Sequence, residues 1–86
     1  MKIQVDGIEY TVEVGTQCGE VAVVTVRDIN GKLVADAEVD EGNESVYYDY
    51  YTDQDGRIDG GSISDLYGES ARDIATWLVA THPRNS

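Results

Sequence analysis

The stretch Val21–Asp40 reads VAVVTVRDINGKLVADAEVD, and its alternation decides the fold. Apolar and polar residues alternate on both sides of Asn30-Gly31, a dipeptide preferred in two-residue type I′ turns. Turned there, Val21–Val39 forms a hairpin that pairs Val26 with Ala35, Val24 with Ala37 and Ala22 with Val39 on one face. The other face pairs Arg27 with Val34, Thr25 with Asp36, Val23 with Glu38 and Val21 with Asp40. Such a register is strongly specified, because a slip of one residue would turn every charge inward. Val21 and Val23 on the charged face point to a central, partly covered strand.

The same arithmetic applies upstream. Asp6-Gly7 turns a hairpin over Met1–Val14, pairing Val5 with Ile8, Ile3 with Tyr10 and Met1 with Val12 on the apolar face. Gln4 then meets Glu9 and Lys2 meets Thr11. Gly15-Thr16-Gln17-Cys18-Gly19 reads as the turn between the two hairpins. Downstream, Asp40–Glu44 is a turn and Ser45–Thr52 a tyrosine-rich strand. Its period of two places Val46, Tyr48 and Tyr50 on one face, with Tyr47, Asp49 and Tyr51 on the solvent face. Asp53–Gly56 is a further turn, with a short return strand near Arg57–Asp59. Gly60-Gly61 breaks the pattern. A helix is expected from Ser62 or Ser64 to just before Pro83, regular from Glu69 because of Gly68. Tyr67, Ala71, Ile74, Leu78 and Thr81, with Trp77 beside them, form its apolar stripe. Ile74, Trp77 and Leu78 are expected to pack on Val24, Val26, Ala35 and Ala37, and the tail after His82 to fray. The fold class is α+β: one domain over 1–86, an antiparallel β-meander of about five strands with one C-terminal α-helix packed on one face.

Composition narrows function more than any motif does. The chain carries 17 acidic and 6 basic residues, a net charge of −11. No base lies between Lys32 and Arg57, where Asp36, Glu38, Asp40, Glu41, Glu44, Asp49, Asp53 and Asp55 contribute −8 of that total. Direct binding to nucleic acid or to an anionic membrane is disfavoured, and a basic partner is favoured. Cys18 is the only cysteine, so no internal disulfide can form. A strand pattern running from Met1, with no apolar run of membrane length, reads as a chain without a signal peptide, in a reducing, cytoplasmic compartment.

The sharpest local pattern is Asp53-Gln54-Asp55-Gly56-Arg57-Ile58-Asp59. It resembles the middle of an EF-hand or dockerin calcium loop. The first ligand position would fall on Tyr51 and the last on Ser62, and a strand precedes it where the family has a helix. A hairpin turn with solvated acids is the expectation, with no metal and no cofactor. His82 is the sole histidine and reads as a surface residue near the chain end. No Ser-His-Asp or Cys-His set, zinc-ligand set or phosphate loop is present, so the chain reads as a non-enzyme.

What remains is a surface. If the Leu33–Asp40 and Ser45–Thr52 strands are neighbours, their outer faces and the following turn present Asp36, Glu38, Asp40, Tyr47, Asp49, Tyr51, Asp53 and Asp55 as partner-binding residues. Carboxylates repeating at about 6.8 Å along strands about 4.8 Å apart approach the phosphate density of a duplex. In size, acidity and layout the chain resembles small phage inhibitors of the anti-CRISPR and nucleic-acid-mimic type. That resemblance implies an acidic face that blocks the basic nucleic-acid-binding surface of a host defence protein, by a monomer or weak homodimer. Two other readings fit the same composition: an ordinary domain or adaptor subunit of a salt-loving organism, and a solvated acidic face on which the tyrosines only cover the sheet.

Overall fold

The computed structural model describes residues 1–52 and 56–83. Asp53–Asp55, where a turn is expected, and the residues after Pro83, including the tail expected to fray, lie outside the described residues. Six strands, β1 (Lys2–Val5), β2 (Ile8–Gln17), β3 (Glu20–Arg27), β4 (Leu33–Asp40), β5 (Ser45–Thr52) and β6 (Gly56–Ile63), precede one helix, α1 (Ala71–Thr81). The strands lie in chain order in one antiparallel sheet, an α+β meander with one strand more than the sequence suggests.

Turn chemistry sets the order. Asp6 and Gly7 both take left-handed φ, +53° and +81°. That is the type I′ geometry whose twist matches the flanking strands. The first hairpin has the expected register, Val5 to Ile8, Ile3 to Tyr10, Gln4 to Glu9 and Lys2 to Thr11. The Met1 amine and carbonyl extend it by bonding Val12 at 3.0 and 2.7 Å. A second two-residue turn, Cys18-Gly19, repeats the same dihedrals. β2 therefore runs on through Gly15 and Thr16 to Gln17, where a turn was expected. A bulge there sets Gly15 against Val23 but Thr16 against Val21. The extra residue changes the side to which the strand end points. Val21 accordingly packs on the core, not on the outer face.

The Asn30-Gly31 turn is longer than two residues. Asp28 Oδ1 accepts from the Asn30 and Lys32 amides, each at 2.9 Å. Gly31 N–H bonds Asp28 O at 3.0 Å, and only Gly31 of the pair takes a left-handed φ, +84°. The aspartate side chain nucleates a wider turn that competes with the type I′ alternative. Arg27 consequently faces Leu33, not Val34. A bulge at that point turns Val34 toward the core and restores the Val26–Ala35, Thr25–Asp36, Val24–Ala37 and Val23–Glu38 pairs. The β3–β4 ladder ends at Val23–Glu38, so the expected Ala22–Val39 and Val21–Asp40 pairs do not form.

Gly60-Gly61 continues a strand rather than breaking one. Gly60 lies opposite Asp49, and Gly61 opposite Tyr48. A Cβ on Gly60 would stand 2.6 Å from Tyr48 O and 2.9 Å from Arg57 Nη2, and would collide with Asp49 Oδ1. On the other face, a Cβ on Gly61 would meet Tyr48 Oη at 3.0 Å. The glycines make room for an ion pair on one side and a tyrosine ring on the other.

After β6 a turn over Ser64–Gly68 buries Leu66, and Gly68 has φ +87°. The helix starts later than the sequence suggests. Ser70 is its N-cap, its Oγ accepting from Asp73 N–H at 3.1 Å. Ala71, Ile74, Ala75, Leu78 and Val79 form the buried face, in one core with Ile3, Val12, Val24, Val26, Ala35 and Ala37. Tyr67 precedes the helix and Thr81 is exposed, so neither belongs to the apolar stripe proper. α1 lies over β1–β4. Aromatic rings carry the cover on to β5: Trp77, half-buried, meets Tyr48 edge-on at 5.0 Å, and Tyr48 meets Tyr50 at 5.4 Å. His82 is not a surface residue. It is 5% exposed, its Nε2 lies 3.0 Å from Tyr51 O, and its ring meets Tyr50 at 5.3 Å.

Gly60→Ala is expected to destabilise the domain by about 1–3 kcal/mol, the usual cost of overpacking. Gly42→Ala, whose Cβ would meet only Asp40 Oδ1 at 3.4 Å, is expected to change little. Urea denaturation of both variants measures the difference.

Candidate protein-binding face

The face of the sheet away from α1 is ordered in rows by the registers. One row runs Gly15, Val23, Glu38, Tyr47, Ser62 from β2 to β6. The next runs Glu13, Thr25, Asp36, Asp49, Gly60. The structure thus brings Asp36, Glu38, Tyr47, Asp49 and Tyr51 together on β4 and β5, as the alternation suggests. Asp53 and Asp55, the remaining acids of the expected site, lie outside the described residues. Asp40 stands at the end of β4, where it shapes the turn. Its carboxylate accepts from Asn43 Nδ2 at 2.8 Å and Asn43 N at 3.3 Å. The Asn43 side chain, then backbone amides and Tyr47, hold it below the ordinary carboxylate range.

The second row is less anionic than its composition implies, because β6 and β3 bring bases onto it. Arg57 Nε donates to Asp49 Oδ1 at 2.5 Å, and Arg27 Nε to Glu13 Oε1 at 2.8 Å. Tyr51 Oη donates to Asp36 Oδ2 at 3.1 Å. Asp36 and Asp49 are direct cross-strand partners, like charges about 5 Å apart at Cα. Burial raises the Asp36 pKa, and the Asp49 and Glu38 charges add to that against the lowering effect of the Tyr51 hydroxyl. Burial, with the Asp36 charge, also raises the Tyr51 phenol. The Arg57 contact escapes a reading by stretches, since Arg57 marks the end of the base-free run in sequence yet folds back across β5.

Uncompensated charge gathers at the other end of the face. Among the described residues, neither the Glu20 nor the Glu38 carboxylate has an ion-pair or hydrogen-bond partner. Here β3 and β4 part beyond Val23–Glu38 and open a groove of about 760 Å³. Val21, Val39 and Tyr47 line it, with Glu20, Glu38 and Glu41 among its acids. Tyr47 is 47% exposed. Glu41 is held by Tyr67, whose hydroxyl donates to Oε2 at 2.5 Å and is pushed up to about 12 by that bond. Glu20 and the groove itself were hidden from sequence reasoning, because both follow from the bulge at Gly15–Thr16. No group of three or more His, Cys, Asp or Glu among the described residues is arranged to hold a metal ion. Among the same residues no helix is long and apolar enough to cross a membrane.

The raised Asp36 pKa has a testable sign. The folded state holds its proton more tightly than an unfolded aspartate with the ordinary value of 3.8 does. The ionised side chain therefore costs stability above its raised pKa, and that cost vanishes as pH falls below the unfolded value. Asp36→Asn keeps an acceptor for Tyr51 and removes the charge. It is expected to raise the melting temperature at neutral pH, with the gain lost below about pH 3.8 in melts across the acid range.

No protein-family model matches the chain, and no curated protein or solved structure does.

Proposed function

We propose that the chain is a non-enzymatic acidic binding protein that blocks a basic nucleic-acid-binding surface of another protein, as the phage inhibitors it resembles do for defence complexes. The observation that carries this reading is the uncovered sheet face, where Glu38, Asp36 and Asp49 stand in register with Tyr47 and Val23. Val23 and Tyr47 are 39% and 47% exposed. An exposed valine and tyrosine among carboxylates suit an interface better than a purely solvated face. With a net charge of −11, the chain would be steered toward a basic groove over about 8 Å at physiological ionic strength. Asp49 is neutralised by Arg57, whereas the acids near Glu38 have no base beside them among the described residues.

The test is capture of a partner from a plausible host, followed by competition with DNA or guide RNA. The chain is expected to displace nucleic acid from the captured protein, with an association rate that falls steeply as salt rises. Glu38→Lys should act mainly on that rate. Tyr47→Ala should act on dissociation and cost about 2 kcal/mol or more. Simultaneous binding of chain and nucleic acid would leave an adaptor role in place of the mimic.

One observation favours salt adaptation instead: Asp36 directly faces Asp49, an arrangement that screening relieves. A thermal melt in dilute buffer separates the two. An inhibitor from a mesophilic setting is expected to melt cooperatively there, whereas a halophilic domain would show no cooperative transition.

A further inference from the structure

We infer that the groove between the parted ends of β3 and β4 receives an extended, arginine-bearing segment of the partner protein. This inference rests on the acidic-face reading and specifies its point of engagement. Its first support is the backbone. Both strands continue past Val23–Glu38, β3 to Glu20 and β4 to Asp40, yet no pairs join them there. Each remains paired on its far side, Val21 to Thr16 and Asp40 to Ser45. The gap is therefore held open by two paired strands rather than by fraying. It presents strand ends of the kind to which an extended segment adds.

The lining specifies the side chain. Val21 and Val39 are half-buried and pack on the core, giving the groove apolar walls. Tyr47 stands beside them with nearly half its surface in solvent. Glu20 and Glu38, their carboxylates unpartnered among the described residues, enter the groove from β3 and β4 respectively, with Glu41 beyond them. An arginine fits all three features at once. Its methylenes cover the valines, its plane stacks on the tyrosine, and its fork bonds carboxylates two at a time. A lysine offers the same charge without the stacking plane or the bidentate geometry, and it is more strongly hydrated. Arginine is also well suited to phosphate and nucleic-acid recognition, so a groove selective for it suits a partner whose own ligand is a polyanion.

The experiment titrates the isotope-labelled chain, at physiological ionic strength, with a capped peptide of alternating arginine and glycine and with its lysine counterpart. The arginine peptide is expected to shift the Val21 and Val39 methyls and the Tyr47 ring, and to bind several-fold more tightly than the lysine peptide. Among the described residues, Glu20→Gln with Glu38→Gln removes no ion pair and no side-chain hydrogen bond. It is expected to weaken binding about tenfold, while Asp6→Asn, in the β1–β2 turn and outside the groove, leaves it unchanged. Shifts scattered over the whole acidic surface, equal binding of both peptides, or no binding would each overturn the groove. Loss with Asp36→Asn but not with the double glutamine variant would also overturn it, and would leave the acidic-face reading standing. If the peptide seats as expected but no captured partner loses its nucleic acid, the groove stands and the inhibitor reading fails.

Discussion

One helix has to cover a six-stranded sheet. The 11 residues of α1 span about 16 Å, whereas six strands spaced at about 4.8 Å span about 24 Å. Two consequences follow. The helix can shield one face only, so the other faces water and is mainly polar or aromatic, with Val23 as an exposed apolar exception. Even on the shielded face the helix reaches only β1–β4, and side chains have to finish the cover. Tyr48 and Tyr50 do so from β5, meeting Trp77 and His82 of the helix end. The Tyr50 hydroxyl lies 2.6 Å from Thr81 Oγ1, which itself donates to Trp77 O at 2.7 Å, so that tyrosine is the donor of the pair. The aromatic cluster is thus polar only where partners wait for it, and no buried side-chain polar atom is left unpaired among the described residues.

The open face resolves its own repulsion by strand pairing. Asp36 faces Asp49, and the arrangement is tolerable because Arg57 and Tyr51 each take one of the two carboxylates. Both belong to the β5–β6 pair, at whose bulge Arg57 comes opposite Tyr51. The same bulge leaves Ile58 without a direct partner. Asp59, on the edge strand, accepts its neighbour Gly60's N–H at 2.8 Å. A bulge and a charged side chain near a free edge both oppose edge-to-edge aggregation. The opposite edge is only four residues long and carries Lys2.

Charge compensation at one end of the face makes the other end chemically distinct. Where β3 and β4 run together, acids are matched to bases or hydroxyls. Where they part, acids stand around an apolar groove that no base among the described residues lines. A uniform carboxylate grid would attract any polycation equally, whereas an acidic groove beside a half-exposed tyrosine adds shape to charge, and shape is what converts steering into specificity.

The local alternation, the preferred turn dipeptides and the helical stripe were enough to derive the α+β class, the strand order, the first hairpin's register and the inner–outer division of β5. These features arise from contacts between neighbours in sequence, where a period of two and a twist-matched turn leave few alternatives. Strand alternation within the base-free run likewise placed Asp36, Glu38, Tyr47 and Asp49 on one face. Only the structure decided the three bulges: that at Arg27 follows a local Asp28 turn which the preferred dipeptide masks, and the other two depend on what lies across the ladder. Asp28 widens a turn that its dipeptide would have made tight. Gly15 and Thr16 extend a strand that composition reads as a loop. Gly60 and Gly61 sit in a strand because an ion pair lies on one side and a tyrosine ring on the other, and no local propensity encodes the far partners. His82 is buried for the same reason: its burial depends on Tyr50 and Tyr51, about thirty residues away in sequence, a separation over which pattern carries no signal.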